Sequence, residues 1–243
     1  MLDDDLCHDA SFVSPQEETV NVQAQYIEML LEATQRVLAS GAIGGNGHGN
    51  LSVRVQGADE MYFTTAISLR TLNADGIARV GLDGTLIEGS LPPINGAVVD
   101  MHTSRYRAND EIGCVIHTHS PAATAFATAG RRIDCWIEAM AMFGLADGIE
   151  VAAYAPRGSA QAVANIEAAI KPGAPAVLLA NHGVLVFHRT PDLAAFIGGV
   201  VEEAAQAALN ASLIGGPTVL PAEMRAAALQ RAMAFDTAGT RSA

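Results

Sequence analysis

His117-Thr118-His119, followed much later by Asn181-His182-Gly183, is the set of residues best suited to chemistry in this chain. Two histidines at i and i+2 project from the same side of an extended strand. A third imidazole from a distant strand end closes a three-nitrogen site for one divalent ion, zinc, manganese or iron. Such a site keeps a coordination position open for water or substrate, as metal catalysis requires. Spacing alone is weak in a chain with 7 histidines, and two polar residues at a strand end explain it equally well. Context favours the metal. Cys114-Val115-Ile116 precedes His117, Val177-Leu178-Leu179-Ala180 precedes Asn181-His182, and α/β folds place ligands at strand ends.

A second group lies in Gly44-Gly45-Asn46-Gly47-His48-Gly49-Asn50, ahead of Leu51 and Ser52. Glycines leave backbone N–H groups uncovered, so the loop can cradle a phosphate or carboxylate. It lacks the Gly-Lys-Ser/Thr of a nucleotide loop, and a strand follows where a dinucleotide fingerprint needs a helix. A solvated turn is the plain alternative. His48 reads as a substrate-facing acid/base, or else as a surface residue. His102 is expected to face the same cleft as a ligand or proton donor, or to be a helix histidine bonded to a neighbour. Arg54 and Arg157 each suit an acidic group or a surface ion pair. Glu202 and Glu203 read as a solvated or subunit-facing helix surface.

The elements that must hold these residues alternate. Apolar spacing from Tyr26 to Val37 predicts a helix over about 20–39. Strands follow at 51–55, 61–65 and 77–82, with Asp83-Gly84 as a hairpin signal before Thr85–Glu88. A helix runs through His102 and Tyr106, and a short buried strand leads into His117. Ser120-Pro121, Gly158-Ser159 and Thr190-Pro191 each open a helix, two of them with proline in the first turn. Residues 151–154, 176–180 and 184–187 read as strands. The expected fold is a single three-layer α/β/α domain with a mixed, largely antiparallel central sheet. It spans 20–215, between an N-terminal tail over 1–19 read as disordered and a C-terminal tail over 216–243 read as partly helical.

Half of the 243 residues are apolar and the formal net charge is −12. The acidity argues against nucleic acid or an anionic membrane as partner. No apolar run suits a bilayer span. Three scattered cysteines read as reduced thiols of a cytoplasmic protein.

Taken in order, Gly49-Asn50-Leu51-Ser52-Val53-Arg54, Thr64-Thr65, Val115-Ile116-His117-Thr118-His119-Ser120-Pro121, Ala155-Pro156-Arg157-Gly158-Ser159 and Leu178 to Val184 resemble the class II aldolase/adducin family, over about residues 23 to 213. The resemblance implies metal ligands at His117, His119 and His182. It also implies substrate contacts from Asn50, Ser52, Thr64 and Thr65, and a homo-oligomer, commonly a tetramer. Sugar-phosphate aldolases of the family carry a carboxylate four residues before the position matching His102, and here that position is Val98. His48 resembles a loop histidine of the family's decarboxylases.

These features imply a metal-dependent carbon–carbon lyase, of decarboxylase or aldolase type, acting on a small anionic hydroxy- or keto-acid. One divalent ion stabilises the enolate or enediolate. Decarboxylation starts from an ionised substrate and needs no carboxylate base. The alternatives are a non-haem iron oxygenase on the same scaffold and a non-catalytic, adducin-like binding module.

Overall fold

The alternating apolar pattern builds one eight-stranded sheet with helices on both faces. The computed structural model describes residues 15–239. Its strands are β1 (Gly49–Arg54), β2 (Glu60–Thr64), β3 (Ile77–Gly81), β4 (Leu86–Glu88), β5 (Cys114–Thr118), β6 (Val151–Ala152), β7 (Ala176–Leu179) and β8 (Gly183–His188). Their spatial order is β4-β3-β2-β1-β5-β8-β7-β6, and only β6 and β7 pair in parallel. This is the mixed, largely antiparallel sheet expected from the sequence.

Seven helices are described: α1 (Pro15–Ala39), α2 (Pro93–Ala108), α3 (Pro121–Thr128), α4 (Glu138–Met142), α5 (Ala160–Ala169), α6 (Pro191–Ala211) and α7 (Ala222–Gly239). Their starts follow local chemistry. Ser159 caps α5 by accepting from the Ala162 N–H, and Thr190 caps α6 by accepting from the Leu193 N–H, with proline next in line. Helix α1 begins at Pro15, so residues 15–19, read as part of a disordered tail, are helical. The rest of that tail, His8 and Cys7 included, lies outside the described residues. The C-terminal stretch is helical as far as α7 runs. Helix α4 had no clear signal, because five residues carry too little periodicity. Strand β6 is shorter than the four residues expected.

Side-chain alternation sorts the core into two faces. Leu51, Val53, Cys114 and Ile116 point toward α1 and α6. Farther along that face, Leu178, Val184 and Val186 meet α3, α4, α6 and α7, with Met140 fully buried and Trp136, Met142 and Phe143 packed around it. Val115, Val177 and Leu185 face the other way, toward Val98 and Tyr106 of α2 and Ile166 of α5. Asn50 and Ser52 alternate with Leu51 and Val53, so they face the α2 side as well. Asn50 sits directly opposite His117 in the β1–β5 ladder, which puts both side chains on that face. Polar residues thus collect on the α2 side, near the ends of β5 and β8.

Candidate metal centre

Three imidazoles meet at those strand ends. His117, His119 and His182 bring one ring nitrogen each to within 4.8 Å of one another. Their ring centroids are 5.1, 4.6 and 4.9 Å apart, pair by pair. His117 lies within β5, which is buried along its whole length, and its Nδ1–H donates to the Val184 carbonyl at 3.0 Å. That bond fixes the tautomer and leaves Nε2 as a lone pair facing its neighbours, the arrangement by which proteins orient metal-binding histidines. His182 reaches the cluster from the turn between β7 and β8. Asn181 holds a left-handed backbone there, with φ 55°, a conformation asparagine tolerates better than most residues. Gly183 then passes so close to β5 that a Cβ would lie 2.4 Å from the Thr118 carbonyl oxygen and 3.2–3.3 Å from the rings of His119 and His117. Only glycine permits this approach.

The electrostatics keep these rings neutral. Burial, then the neighbouring histidines, push the His117 pKa well below the ordinary value. Burial and the nearby His119 and Arg157 bring His182 down to about 4. Burial, His48 and Arg157 lower His119 too. Neutral imidazoles with converging lone pairs are the donor set that a divalent ion needs, so the residues present fit the ion the sequence implied. Among the described residues, no aspartate or glutamate joins the group.

The remaining site residues divide. His48 is exposed on the glycine loop, its ring 5.9 Å from that of His119. The loop itself is pinned rather than loose. Arg70 donates to the Gly45 carbonyl at 2.9 Å and the Gly44 carbonyl at 3.3 Å, and Ser68 donates to that of Asn46. Asn50 lies beside His117 and is 9% exposed. Thr65 is 8% exposed, and Thr64 is fully enclosed and accepts from the Leu51 N–H at 2.9 Å.

His102 and Ser52 are also enclosed, each 0% exposed, and His102 takes the second alternative, a helix histidine bonded to its neighbours. Asn50 Oδ1 can only accept, so His102 Nε2–H donates to it, at 2.6 Å. His102 Nδ1 is then the acceptor for the Ser52 hydroxyl, at 2.8 Å. The Tyr106 hydroxyl, in turn, donates to Ser52, with Oγ at 2.7 Å and the carbonyl oxygen at 2.9 Å. Burial lowers the His102 pKa to about 3, so the ring stays neutral and the proton order is fixed. Its effect is to turn the Asn50 amide so that Nδ2–H2 points away from the network.

Two residues acquire functions that spacing did not suggest. Arg157 Nη2 lies 3.2 Å from His182 Nε2 and donates to it. Glu202, expected on a solvated or subunit-facing surface, is buried and accepts from the N–H groups of Ala122 and Ala123 at 2.8 and 2.9 Å. It tethers the start of α3, the helix that follows His119, and burial raises its pKa. Arg54 takes the ion-pair alternative, 2.9 Å from Asp110. His188 is half-buried at the end of β8. Val98 is 5% exposed and lines a cavity that also borders His182. No helix among the described residues is long and apolar enough to cross a membrane.

Known proteins share this arrangement of elements. The family described as class II aldolase and adducin N-terminal domain matches residues 28–209. The chain is 30% identical over 197 residues to a 5-deoxy-D-ribulose 1-phosphate aldolase of Bacillus thuringiensis serovar kurstaki, covering 80% of this chain and 89% of the relative. It is 31% identical over 195 residues to a 5-methylthioribulose-1-phosphate/5-deoxyribulose-1-phosphate aldolase of Rhodospirillum rubrum, covering 80% and 85%. Among solved structures, an L-fuculose 1-phosphate aldolase superposes with a TM-score of 0.75 at 26% identity, covering 91% of this chain and 98% of that one.

Proposed function

Since this chain belongs to the class II aldolase and adducin family, we propose that it is a metal-dependent carbon–carbon lyase acting on a small anionic hydroxy- or keto-acid. The observation that carries the reading is the convergence of three neutral imidazoles, His117, His119 and His182, at the ends of two strands. A divalent ion held by them supplies Lewis-acid stabilisation for the enolate or enediolate left when a carbon–carbon bond breaks.

The chain's own residues do the rest. Asn50, held by His102, offers Nδ2–H2 to an anionic oxygen of the substrate. Thr65 and the uncovered N–H groups of the glycine loop are assigned to the same anion, so a phosphate group, as in the names of the relatives, suits them as readily as a carboxylate. Arg157 gives up its bond to His182 when that lone pair serves the metal, and its guanidinium is then free for a substrate carboxylate. His48, exposed beside His119, returns a proton to the carbanion.

The absence of a carboxylate from the described histidine group favours decarboxylation over aldol cleavage. Deprotonating a hydroxyl needs a base, whereas a substrate that loses carbon dioxide arrives already ionised. No observation favours the iron oxygenase or the non-catalytic module. The reading extends to a cytoplasmic homo-oligomer, tetrameric by the family's habit.

The test is an assay of carbon dioxide and aldehyde release from hydroxy-acids, keto-acids and ketose phosphates, run under argon and again in air with oxygen uptake followed, with a chelated control. Chelator-sensitive release under argon is expected. Turnover that requires iron(II) and consumes oxygen would replace this reading by the oxygenase.

A further inference from the structure

We propose that the cavity beside His182 is a subsite for an apolar group of the substrate, an alkyl chain or a single ring, in place of a hydroxylated chain. This deepens the lyase reading and rests on it for the identity of the reacting end. The cavity measures about 260 Å³ and lies between α2, β6, β7 and α5. A cavity of about 150 Å³ is already enough for a benzene ring. Its floor is Val98, Met101, Ala152, Ile166 and Leu179, none more than 6% exposed.

The polar side chains of its lining are elsewhere. Asp100, Tyr154, Arg157 and Asn181 are all exposed and form the rim. Ser159 is committed to capping α5, where it accepts from the Ala162 N–H at 3.2 Å. A hydroxyl pushed to the floor would leave water without a partner, at a cost of about tenfold in affinity. A methylene placed there gains about fourfold. The geometry also orients the ligand. The imidazole cluster and Arg157 stand together at one end, where Arg157 touches His182, so the anionic end stays there and the apolar end points to the floor.

Affinities of pyruvate, 2-oxopentanoate and phenylpyruvate for the full-length protein test this, measured calorimetrically with zinc and again without it. Affinity should rise about fourfold per added methylene. Ala162→Leu and Val163→Phe fill the cavity from half-buried positions on α5, so the core is spared. Each should flatten the series while leaving pyruvate affinity and zinc stoichiometry unchanged. A flat or falling series in the unmodified protein, or a rise that persists in both variants, would overturn the subsite. If zinc does not bind but the rise with chain length is present, the subsite stands and the metal reading falls; no rise under either condition removes the subsite. A change of association state in the variants, with the affinity series intact, would assign the groove to a second copy of the chain and overturn the proposal.

Discussion

His102 and His117 lie on the same side of the sheet, and both are buried, yet their surroundings give them opposite tasks. Protein groups take both nitrogens of His102, Ser52 on one and Asn50 on the other. His117 spends one nitrogen on the Val184 carbonyl and turns the other toward His119 and His182. Residue type and burial are thus insufficient to identify a ligand. What distinguishes the two is whether a lone pair is left over and whether other lone pairs converge with it. His102 positions Asn50, whereas His117 joins the cluster of three converging imidazoles.

The sharpest break in this comparison is removal of a ligand. His119→Ala should lower metal affinity by more than the 10–100-fold typical of losing a supporting partner, and abolish turnover. Elemental analysis and the anaerobic assay read both, and full metal occupancy in this variant would remove His119 from the centre. Gly183→Ala comes next. Its Cβ would meet the Thr118 carbonyl at 2.4 Å, so β8 must shift. Stability should fall by about 1–3 kcal/mol, as for other overpacked sites, and metal affinity with it; urea unfolding at an unchanged midpoint would contradict the packing argument.

His102→Leu should act differently. It strands the Ser52 hydroxyl and frees the Asn50 amide to rotate, costing about 1–3 kcal/mol of stability. Substrate KM should rise while metal content stays at wild-type level. Loss of metal would show that His102 belongs to the centre after all.

A pH series separates the two kinds of histidine more gently. The folded pKa of His102 is about 3, below the ordinary 6.5. The unfolded chain therefore binds the extra proton between those values, and His102 makes stability decline as pH falls from about 6.5 toward 3. Metal-free protein unfolded in urea at pH 7 and pH 5 should show this decline. The His102→Leu variant should show less of it, and an equal slope would assign the dependence to other groups.

Much of the scaffold was legible because the sequence states it locally. Strand runs alternate cleanly, Ser159 and Thr190 sit where caps belong, and apolar residues lead directly into His117 and Asn181. The i, i+2 spacing of His117 and His119, the apolar runs before His117 and His182, and the family resemblance together named the three histidines that meet. What the sequence hid depends on distance through space. Ser52, Thr64 and His102 look like cleft residues by motif, but α2 lies over the face of β1 that carries Ser52 and closes it. Ser52 is thereby committed to His102 and Tyr106. Glu202 looked like one more charge on a long helix, until α3 brought two unpaired N–H groups to it. The contact between Arg157 and His182 joins two turns that no periodicity relates.

The central claim is most directly tested by titrating zinc into chelator-treated protein while following heat and stoichiometry. The account expects saturation at one ion per chain, with release of few protons near neutral pH because the imidazoles are already neutral, and loss of that binding in His117→Ala, His119→Ala and His182→Ala alike. Absence of saturable binding, or binding that survives all three substitutions, would contradict it.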